Sequence, residues 1–303
     1  MSRNETMLYC GGCALSPAPG CLDAFVSHGI YRVHWECWSN CSLSCEFCFR
    51  SRSAPLRGQL AIDVVRAIAT GGARDLVFAG GDPSLHPEIR ELVSRAKDLE
   101  MWVEIQTNGQ SLTERFKRAL RLADSVGVSL DSSDPAVHDA IRHRKGNFYR
   151  VKNLLDWLQD NSIPTTIRSV VTRKTVNSLM DLGQLLQEYP VVQRWAIQEL
   201  TPVGDAVHAW DELAIQHDEF TNFVLNAQER YGVQVTSVSN EEKGGAYALV
   251  RSDGKVYGTG GQKIGAFFPI SGDLLADHIS EIVARLPFLP DKHSLRYADT
   301  RVR

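Results

Sequence analysis

Three closely spaced cysteines carry the strongest chemical signal in this 303-residue sequence. Cys41, Cys45 and Cys48 are separated by gaps of three and two residues. This spacing lets three thiolates wrap one face of an iron–sulfur cube and bind three of its four irons. The fourth iron stays open, so the amino and carboxylate groups of an outside ligand can chelate it. The spacing therefore predicts a 4Fe-4S cluster that binds a small molecule.

Two other interpretations of these cysteines remain open. With Cys37 as a fourth ligand, the group would hold a structural zinc ion. Without an open iron, the cluster would belong to an electron carrier or a redox sensor. Ferredoxin loops usually have two-residue gaps and a fourth cysteine, and zinc ribbons usually pair two C-x2-C knuckles. The observed gaps favour the catalytic cluster.

The elements that must position this loop are short apolar runs that alternate with amphipathic stretches, as in repeated strand–helix units. Apolar residues at three- and four-residue spacing predict helices between the strands, including 89–99 and 179–186. Six successive units imply a parallel sheet with right-handed crossovers. Periodicity alone leaves open a partial barrel or an open, doubly wound sheet. The six predicted strands are 31–35, 75–79, 102–106, 125–130, 165–171 and 195–200.

The pattern changes after residue 232. Residues 246–250 and 255–257 predict a hairpin around an Asp253-Gly254 turn, and 274–286 predicts one more helix. We therefore expect three parts along the chain. These are a Cys-containing N-terminal extension (1–29), the strand–helix barrel (30–232) and a C-terminal extension that closes the barrel (233–303).

Composition and charge exclude several classes of protein. Hydrophobic residues make up 43% and charged residues 23%, which predicts a folded chain. The formal net charge of -3 gives no long-range positive field for duplex nucleic acid. No apolar run is as long as a membrane helix, and the first residues lack the order of a secretory signal, so we expect a cytoplasmic protein. All seven cysteines lie within the first 48 residues, which favours metal or redox chemistry over disulfides.

From about residue 31 to 200 the sequence resembles the radical S-adenosylmethionine (SAM) superfamily. Phe47 before the last cysteine fits that family's pattern, and Gly80-Gly81-Asp82-Pro83 is similar to its GGEP motif with aspartate in place of glutamate. The resemblance implies a partial (β/α)6 TIM-type barrel in which the three cysteines hold the cluster and SAM binds the open iron. The reduced cluster would cleave SAM to a 5′-deoxyadenosyl radical, which abstracts hydrogen from the substrate.

By the same resemblance, SAM is held by residues at the ends of successive strands. Ser129 would contact the ribose hydroxyls or the methionine part, Arg142 the methionine carboxylate and Arg168 the ribose region. Ordinary alternatives are a turn at 107–109, a helix cap at Asp131 and a solvated face for Arg142. No side chain is assigned a proton transfer, because the cluster and SAM carry the chemistry. The predicted SAM contacts are Phe47, Gly80, Gly81, Asp82, Pro83, Thr107, Asn108, Ser129, Asp131, Arg142, Arg168, Gln198 and Leu200.

Within the superfamily, the sequence is most similar to the viperin-like nucleotide-modifying members. Residues 45–49 have the same Cys-x-Phe-Cys-Phe form, and 241–249 is similar to their C-terminal segment. However, Asn147 and Phe148 stand where that family has adjacent lysines for a triphosphate. The expected substrate is a nucleotide, a sugar nucleotide or a natural-product intermediate, and the expected reductant is a flavodoxin or ferredoxin. The basic residues that remain nearby are Arg144, Lys145, Arg150 and Lys152.

Two features leave further alternatives. Cys10, Cys13, Cys21 and Cys37 form a candidate second metal site, for an iron–sulfur cluster or zinc, unless they are reduced thiols. Residues 252–257 resemble a strand pair of peptide-modifying members of the superfamily, so modification of a ribosomal peptide is the alternative function.

Overall fold

A ten-stranded sheet forms the centre of the computed structural model, which describes residues 22–231, 234–259 and 268–298. The strand order is β10-β9-β8-β1-β2-β3-β4-β5-β6-β7. Strands β1 to β7 pair in parallel, and β8 pairs in parallel with the other side of β1. β9 and β10 are antiparallel to their neighbours. The predicted α/β class with a parallel sheet is confirmed.

The strands are β1 (Arg32–Trp38), β2 (Asp75–Gly80), β3 (Trp102–Thr107), β4 (Ser125–Ser129), β5 (Thr165–Val171), β6 (Val192–Glu199), β7 (Val235–Val238), β8 (Ala248–Val250), β9 (Lys255–Gly258) and β10 (Ile270–Asp273). The helices are α1 (Ala24–Ser27), α2 (Gly58–Thr70), α3 (Ile89–Asp98), α4 (Glu114–Leu120), α5 (Pro135–Ile141), α6 (Asn147–Asp160), α7 (Val176–Leu179), α8 (Leu182–Leu186), α9 (Trp210–Leu213), α10 (His217–Tyr231), α11 (Asn240–Lys243), α12 (Ile279–Arg285) and α13 (Pro290–Ala298). No helix within the described ranges is long and apolar enough to cross a membrane.

Helices connect each parallel strand from β1 to β7 with the next one. A parallel pair needs such a crossover, because the chain must return to the same end of the sheet. The apolar stripe of α3 explains the packing, since Ile89, Leu92 and Ala96 are all fully buried. The carboxyl ends of the parallel strands consequently share one edge of the sheet, where the cluster loop follows β1.

The two faces of the sheet differ in polarity. Along β1, Val33 and Trp35 join the main hydrophobic core, whereas the intervening Arg32, His34 and Glu36 are buried on the opposite face. Alternation along the other strands places further charged residues on this face, away from the helices. We call it the inner face, and it carries Arg32, His34, Glu36, Glu104, Gln106, Arg168 and Arg194.

The C-terminal part adds three strands to the free side of β1. The predicted hairpin is confirmed, because Leu249 of β8 pairs with Tyr257 of β9 around the turn. Gly254 has a φ of 85° in that turn, a conformation that favours glycine. The division of the chain at residues 29 and 232 stays a prediction.

Several elements differ from the sequence-based prediction, among them β10 and α13, which were not predicted. Strand β7 was missed, because a run of only four residues, with valine at each end, gives almost no periodic signal. The predicted helix at 179–186 is two short helices, α7 and α8. The predicted helix at 274–286 begins only at Ile279, because β10 and a turn occupy the residues before it. All six predicted strands are present, with ends shifted by up to three residues.

Candidate functional site

The cluster loop follows the carboxyl end of β1. Cys41 and Cys48 are partly exposed, Cys45 is buried, and all three are free thiols. The Cys48 N–H donates to the Cys45 carbonyl at 3.2 Å, which turns the chain between the last two cysteines. The loop therefore presents three unpaired sulfurs at the edge where the parallel strands end.

Two of these sulfurs accept hydrogen bonds from N–H donors. The Asn108 side-chain amide donates to Cys41 Sγ at 3.2 Å, and an Nη1–H of Arg142 donates to Cys45 Sγ at 3.7 Å. The backbone N–H of Leu43 also donates to Cys41 Sγ, at 3.4 Å. Donors of this kind stabilise thiolates, the form of cysteine that binds metal. The donor set therefore fits a cluster held by three cysteines.

Burial opposes ionisation of these thiols when no metal is bound. Burial raises the pKa of Cys45 to about 11, against the charge of Arg142, which acts to lower it. Burial also raises the pKa of Cys48. A coordinated metal deprotonates a thiol outright, so the free thiols are not the functional form.

The geometry differs from that of a mononuclear metal site. Among the described residues, no three Cys, His, Asp or Glu side chains converge closely enough to hold a single metal ion. A cube makes a different demand, because each of its thiolates binds a different iron.

The two glycines of Gly80-Gly81-Asp82-Pro83 allow β2 to approach the chain that leads into the cluster loop. A Cβ on Gly80 would lie 2.5 Å from the Trp38 carbonyl oxygen, and a Cβ on Gly81 would lie 2.2 Å from that of Asn40. Gly80 also has a φ of 121°, which L side chains rarely adopt. In the structure, the backbone that these two glycines approach closely is the protein's own. Contact of these carbonyls with the SAM ammonium stays a prediction.

Asp82 links the ends of β2 and β3. Its buried carboxylate accepts hydrogen bonds from Ser84 N at 2.8 Å, Thr107 Oγ1 at 3.0 Å and Asn108 N at 2.9 Å. Burial raises its pKa despite these donors. Pro83 follows at the start of a short 3-10 turn. Asp82 and Thr107 therefore orient Asn108, whose amide contacts Cys41. The SAM contacts expected of these three residues stay predictions.

Asp131 and Arg142 form a second link to the cluster loop. Asp131 is fully buried and accepts from Val170 N at 2.9 Å and from Arg142 Nε at 2.5 Å. The Arg142 guanidinium also lies 5.0 Å from the centroid of the Phe47 ring. Burial favours the neutral form of Arg142, but the neighbouring Asp131 carboxylate has the larger effect. The pKa of Arg142 is therefore raised. Arg142 is buried rather than on a solvated face, and Asp131 accepts from it instead of acting only as a helix cap.

The remaining predicted contacts lie on β4, at the end of β6 and beside it. Ser129 stands opposite Arg168 in the β4–β5 register. Gln198 is half-buried near the end of β6. Leu200 is buried in a small apolar cluster with Ile141, and Phe47 packs against it. The structure thus brings Phe47, Asp131, Arg142 and Leu200 to the cluster loop, whereas Arg168 lies deeper on the inner face.

The inner face carries several positive charges close together. Arg32 pairs with Asp75 at 3.1 Å, and Arg168 pairs with Glu104 at 2.6 Å. Burial lowers the pKa of Arg194 to about 10, and the charge of Arg168 adds to this effect. Glu104 is held ionised, with a pKa lowered to about 2 by Arg168 against the effect of burial.

Helix α13 adds another arginine to this region. Arg296 donates through Nε to the Tyr247 hydroxyl at 3.2 Å and through Nη1 to the Ser237 carbonyl at 2.9 Å, both neutral acceptors. The ring of Tyr297 lies 4.6 Å from the Arg32 guanidinium, and its hydroxyl lies 2.8 Å from His34 Nε2. The C-terminal helix therefore supplies side chains to the inner face.

Sequence reasoning missed Glu36, although alternation along β1 would have placed it on the inner face. Its carboxylate accepts a short hydrogen bond from Ser51 Oγ and one of 3.2 Å from the Tyr257 hydroxyl. Burial raises its pKa to about 7. Glu36 thus ties the cluster loop to strand β9.

The basic residues beside α6 do not form an enclosed anion site. Arg144, Lys145 and Arg150 are exposed. Asn147 is fully buried, and its amide donates to the Asn108 carbonyl and to Gln110 Oε1. It supports the Asn108 turn, which explains a polar residue at this position without a ligand.

Cys37 is not placed at a metal-binding position. It is fully buried in the main hydrophobic core, and its sulfur donates to the Ala79 carbonyl at 3.5 Å. Burial raises its pKa well above the usual range. Cys10, Cys13 and Cys21 lie outside the described residues, so the candidate second metal site stays a prediction without support from Cys37.

Lys243 should make the unfolding free energy of the protein depend on pH. Its ammonium donates to the Glu199 carbonyl and to Thr201 Oγ1, while burial lowers its pKa to about 7. The unfolded chain then binds one proton more than the folded chain between pH 7 and the normal lysine pKa. Relative to Lys243→Met, the wild type should gain about 1 kcal/mol of unfolding free energy per pH unit from 7 to 10. Urea denaturation across this range checks it, and parallel pH profiles would contradict it.

Residues 35–186 match the family model of the radical SAM superfamily, and the chain belongs to this superfamily. It is an α/β member of this superfamily, whose members use a 4Fe-4S cluster and SAM.

Curated relatives carry several different names. The chain is 29% identical over 247 residues to an S-adenosylmethionine-dependent nucleotide dehydratase of Lacinutrix mariniflava, covering 75% of this chain and 50% of that protein. It is 27% identical over 200 residues to an AdoMet-dependent heme synthase of Nitratidesulfovibrio vulgaris, covering 63% and 54%. It is 31% identical over 210 residues to a mycofactocin maturase of Mycolicibacterium smegmatis, covering 66% and 53%. The chain thus spans about half the length of these relatives.

The fold is similar to that of solved radical SAM structures. The structure of anSMEcpe with bound AdoMet and a Cp18Cys peptide matches with a TM-score of 0.64 and 17% identity, covering 83% of this chain and 79% of that one. At this identity the likeness supports the partial-barrel fold alone.

Proposed function

We propose that this enzyme abstracts a hydrogen atom from a small anionic substrate, a nucleotide or a sugar nucleotide. When bound and reduced, the cluster supplies the electron that splits SAM and yields the 5′-deoxyadenosyl radical. A flavodoxin or ferredoxin would provide that electron. The chain itself holds the three thiolates and orients the substrate. The apolar group of Phe47, Leu200 and Ile141 would exclude water beside the cluster.

The positive charge of the inner face is the main observation that supports a phosphate-containing substrate. The guanidiniums of Arg168, Arg296 and Arg32 lie within electrostatic reach of Arg194, Asp75 pairs with Arg32, and Glu104 pairs with Arg168. Buried positive charge attracts phosphate far more strongly than exposed charge, because water screens it less. The relative named as a nucleotide dehydratase supports the same substrate class. The four arginines are Arg32, Arg168, Arg194 and Arg296.

The assay that tests this function is 5′-deoxyadenosine formation by anaerobically reconstituted, reduced protein. We expect a pool of nucleotides and sugar nucleotides to stimulate product formation severalfold over SAM alone. Single members of the pool would then identify the substrate. A folded, cluster-loaded protein that gains nothing from any pool member, but responds to a peptide, would overturn the substrate class and leave the radical chemistry intact.

Arg194→Gln should raise the KM for an anionic substrate by about tenfold, since one charge–phosphate contact is worth about 1.5–3 kcal/mol. Binding of SAM should change little, because Arg194 lies on β6 away from the cluster loop. Arg150→Gln removes the same charge from an exposed position on α6 and serves as the matched control. A larger effect from Arg150 than from Arg194 would move the anion site to α6.

A second candidate function is modification of a peptide. The relative named as a maturase is 31% identical, and the hairpin at β8 and β9 corresponds to the strand pair that suggested this alternative. Under this function the inner-face charges would contact peptide carboxylates. Stimulation of SAM cleavage by a peptide and by no nucleotide would favour it.

A further inference from the structure

A series of hydrogen bonds between buried residues connects two of the cluster cysteines. His138 on α5 lies at its centre and is fully buried. The Asp131 backbone N–H donates to His138 Nδ1 at 3.2 Å, and His138 Nε2 lies 2.9 Å from Asn147 Oδ1. A backbone N–H can only donate, so Nδ1 is an acceptor and the ring proton on Nε2 is donated to Asn147. Burial lowers the pKa of His138, which favours this neutral ring.

On one side of His138 the series leads to Cys41. The Asn147 side-chain amide donates to the Asn108 carbonyl at 3.2 Å. The Asn108 side-chain amide donates in turn to Cys41 Sγ at 3.2 Å, while its Oδ1 accepts from Gln110 N at 2.8 Å. Asn147 and Asn108 are both buried, so water competes little for these bonds.

On the other side of His138 the series leads to Cys45. Asp131, whose N–H bonds to the ring, accepts through its carboxylate from Arg142 Nε at 2.5 Å. Arg142 then donates through Nη1 to Cys45 Sγ at 3.7 Å. Asp131 and Arg142 are also buried. The side-chain donors that reach the two sulfurs are therefore joined to each other through His138.

Hydrogen bonds to the sulfurs help to set the reduction potential of an iron–sulfur cluster. Reduction adds one negative charge to the cluster, so N–H donors stabilise the reduced state more than the oxidised state. Residues that bind no metal themselves control these bonds when they fix the orientation of the donors. A buried network whose members are all bonded holds them in one arrangement.

We propose that His138 is a positioning residue for the cluster. It holds two N–H donors, on Asn108 and Arg142, against the cluster sulfurs, and so raises the potential at which the cluster accepts an electron. That electron comes from the flavodoxin or ferredoxin of the proposed function. The proposal rests on the proposed function only in its assignment of the three loop cysteines as cluster ligands, and it requires no particular substrate.

The test compares three substitutions of His138 with the wild type. His138→Leu removes both ring nitrogens. His138→Asn keeps a side-chain acceptor near the position of Nδ1, and His138→Gln keeps a side-chain donor near the position of Nε2. The first amide thus retains the half of the series that leads to Cys45, and the second retains the half that leads to Cys41.

His293→Leu is the matched control. His293 is also fully buried with both ring nitrogens bonded, since Nδ1 lies 2.8 Å from the Ala246 carbonyl oxygen and Nε2 accepts from Tyr31 N at 3.1 Å. It contacts the beginning of β1, at the opposite edge of the sheet from the cluster loop. Its replacement should lower stability without reaching the cluster sulfurs.

The measurement is made on loaded protein without SAM or substrate. Iron content and the absorbance of the oxidised cluster first establish that each variant is loaded, and circular dichroism melts give its stability. The ratio of reduced to oxidised cluster is then measured by electron paramagnetic resonance at a fixed solution potential.

We expect His138→Leu to lower that ratio about tenfold, which corresponds to about 59 mV for a one-electron couple. His138→Asn and His138→Gln should each restore part of the ratio, because each keeps one sulfur donor in place. His293→Leu should change the ratio less than twofold even where its melting temperature falls as far as that of His138→Leu.

An unchanged ratio in loaded His138→Leu would overturn the proposal. An equal fall in His293→Leu would overturn it as well, since loss of stability alone would then explain the effect. If His138→Leu does not load, loaded Asn147→Ala decides, because it breaks the series one bond nearer to Cys41, and an unchanged ratio there would be equally fatal. A wild-type protein that takes up no iron would instead reject the cluster assignment on which the proposal rests.

Discussion

Replacing Cys41, Cys45 and Cys48 together with alanine is expected to abolish 5′-deoxyadenosine formation and to remove about four irons per chain. The three sulfurs come from one loop, and those of Cys41 and Cys45 accept N–H donors in the structure. Without them nothing described at the ends of the strands replaces a thiolate. Iron analysis, cluster absorbance and product quantification after anaerobic reconstitution check this result.

Cys37→Ala is the matched control for this variant. Cys37 lies on the preceding strand but is buried in the hydrophobic core, so its loss should lower the unfolding free energy by about 1–2 kcal/mol and spare the cluster. Loss of the cluster in folded Cys37→Ala would restore the interpretation with a fourth cysteine ligand. Full SAM cleavage by the triple variant would contradict the catalytic assignment altogether.

The sequence predicted the cluster loop and its neighbours because their signals are local. Three cysteines in eight residues specify a cluster by spacing, and six apolar runs specify strands by period. The parallel order then brings 80–83 and 107–109 beside the loop, since all strand ends share one edge of the sheet. Local pattern and simple topology were sufficient for this part of the site.

What the residues do in the site depends on contacts between distant segments. Asp82 and Arg142 match family positions, yet in the structure their side chains bind Asn108 and Asp131. Sequence reasoning missed Glu36 and Lys243, because the fold decides whether a charged side chain is removed from water. Alternation along β1 could have revealed Glu36, whereas no local pattern indicates the surroundings of Lys243.

The basic residues at 144–152 illustrate the same limit. A run of positive charge near the start of a helix can form an anion site or a solvated surface. The structure places most of this run in solvent. The inner face gathers its arginines singly, one from each of several strands and one from α13. A positive site assembled in this way has no sequence signature, since its members are separated by about 30 to 130 residues along the chain.

Gly81→Ala is expected to disrupt the cluster loop from the neighbouring strand, without touching any cysteine. The added Cβ would lie 2.2 Å from Asn40 O and 2.6 Å from Ser39 O, both backbone atoms that cannot rotate away. Either β2 or the chain entering Cys41 must move, and overpacking of this kind costs about 1–3 kcal/mol. We therefore expect a lower denaturation midpoint together with a severalfold loss of cluster incorporation.

Gly244→Ala provides the control for this change. Its φ is -60°, and the nearest atom to an added Cβ is 3.4 Å away, so alanine should be accepted there within about 1 kcal/mol. Circular dichroism melts and iron content of the two variants separate loss of fold from loss of cluster. If Gly81→Ala kept both its stability and its iron, β2 would not hold the cluster loop as closely as described. If Gly81→Ala lost iron but melted like the wild type, Gly81 would affect the cluster only through the position of Asn40.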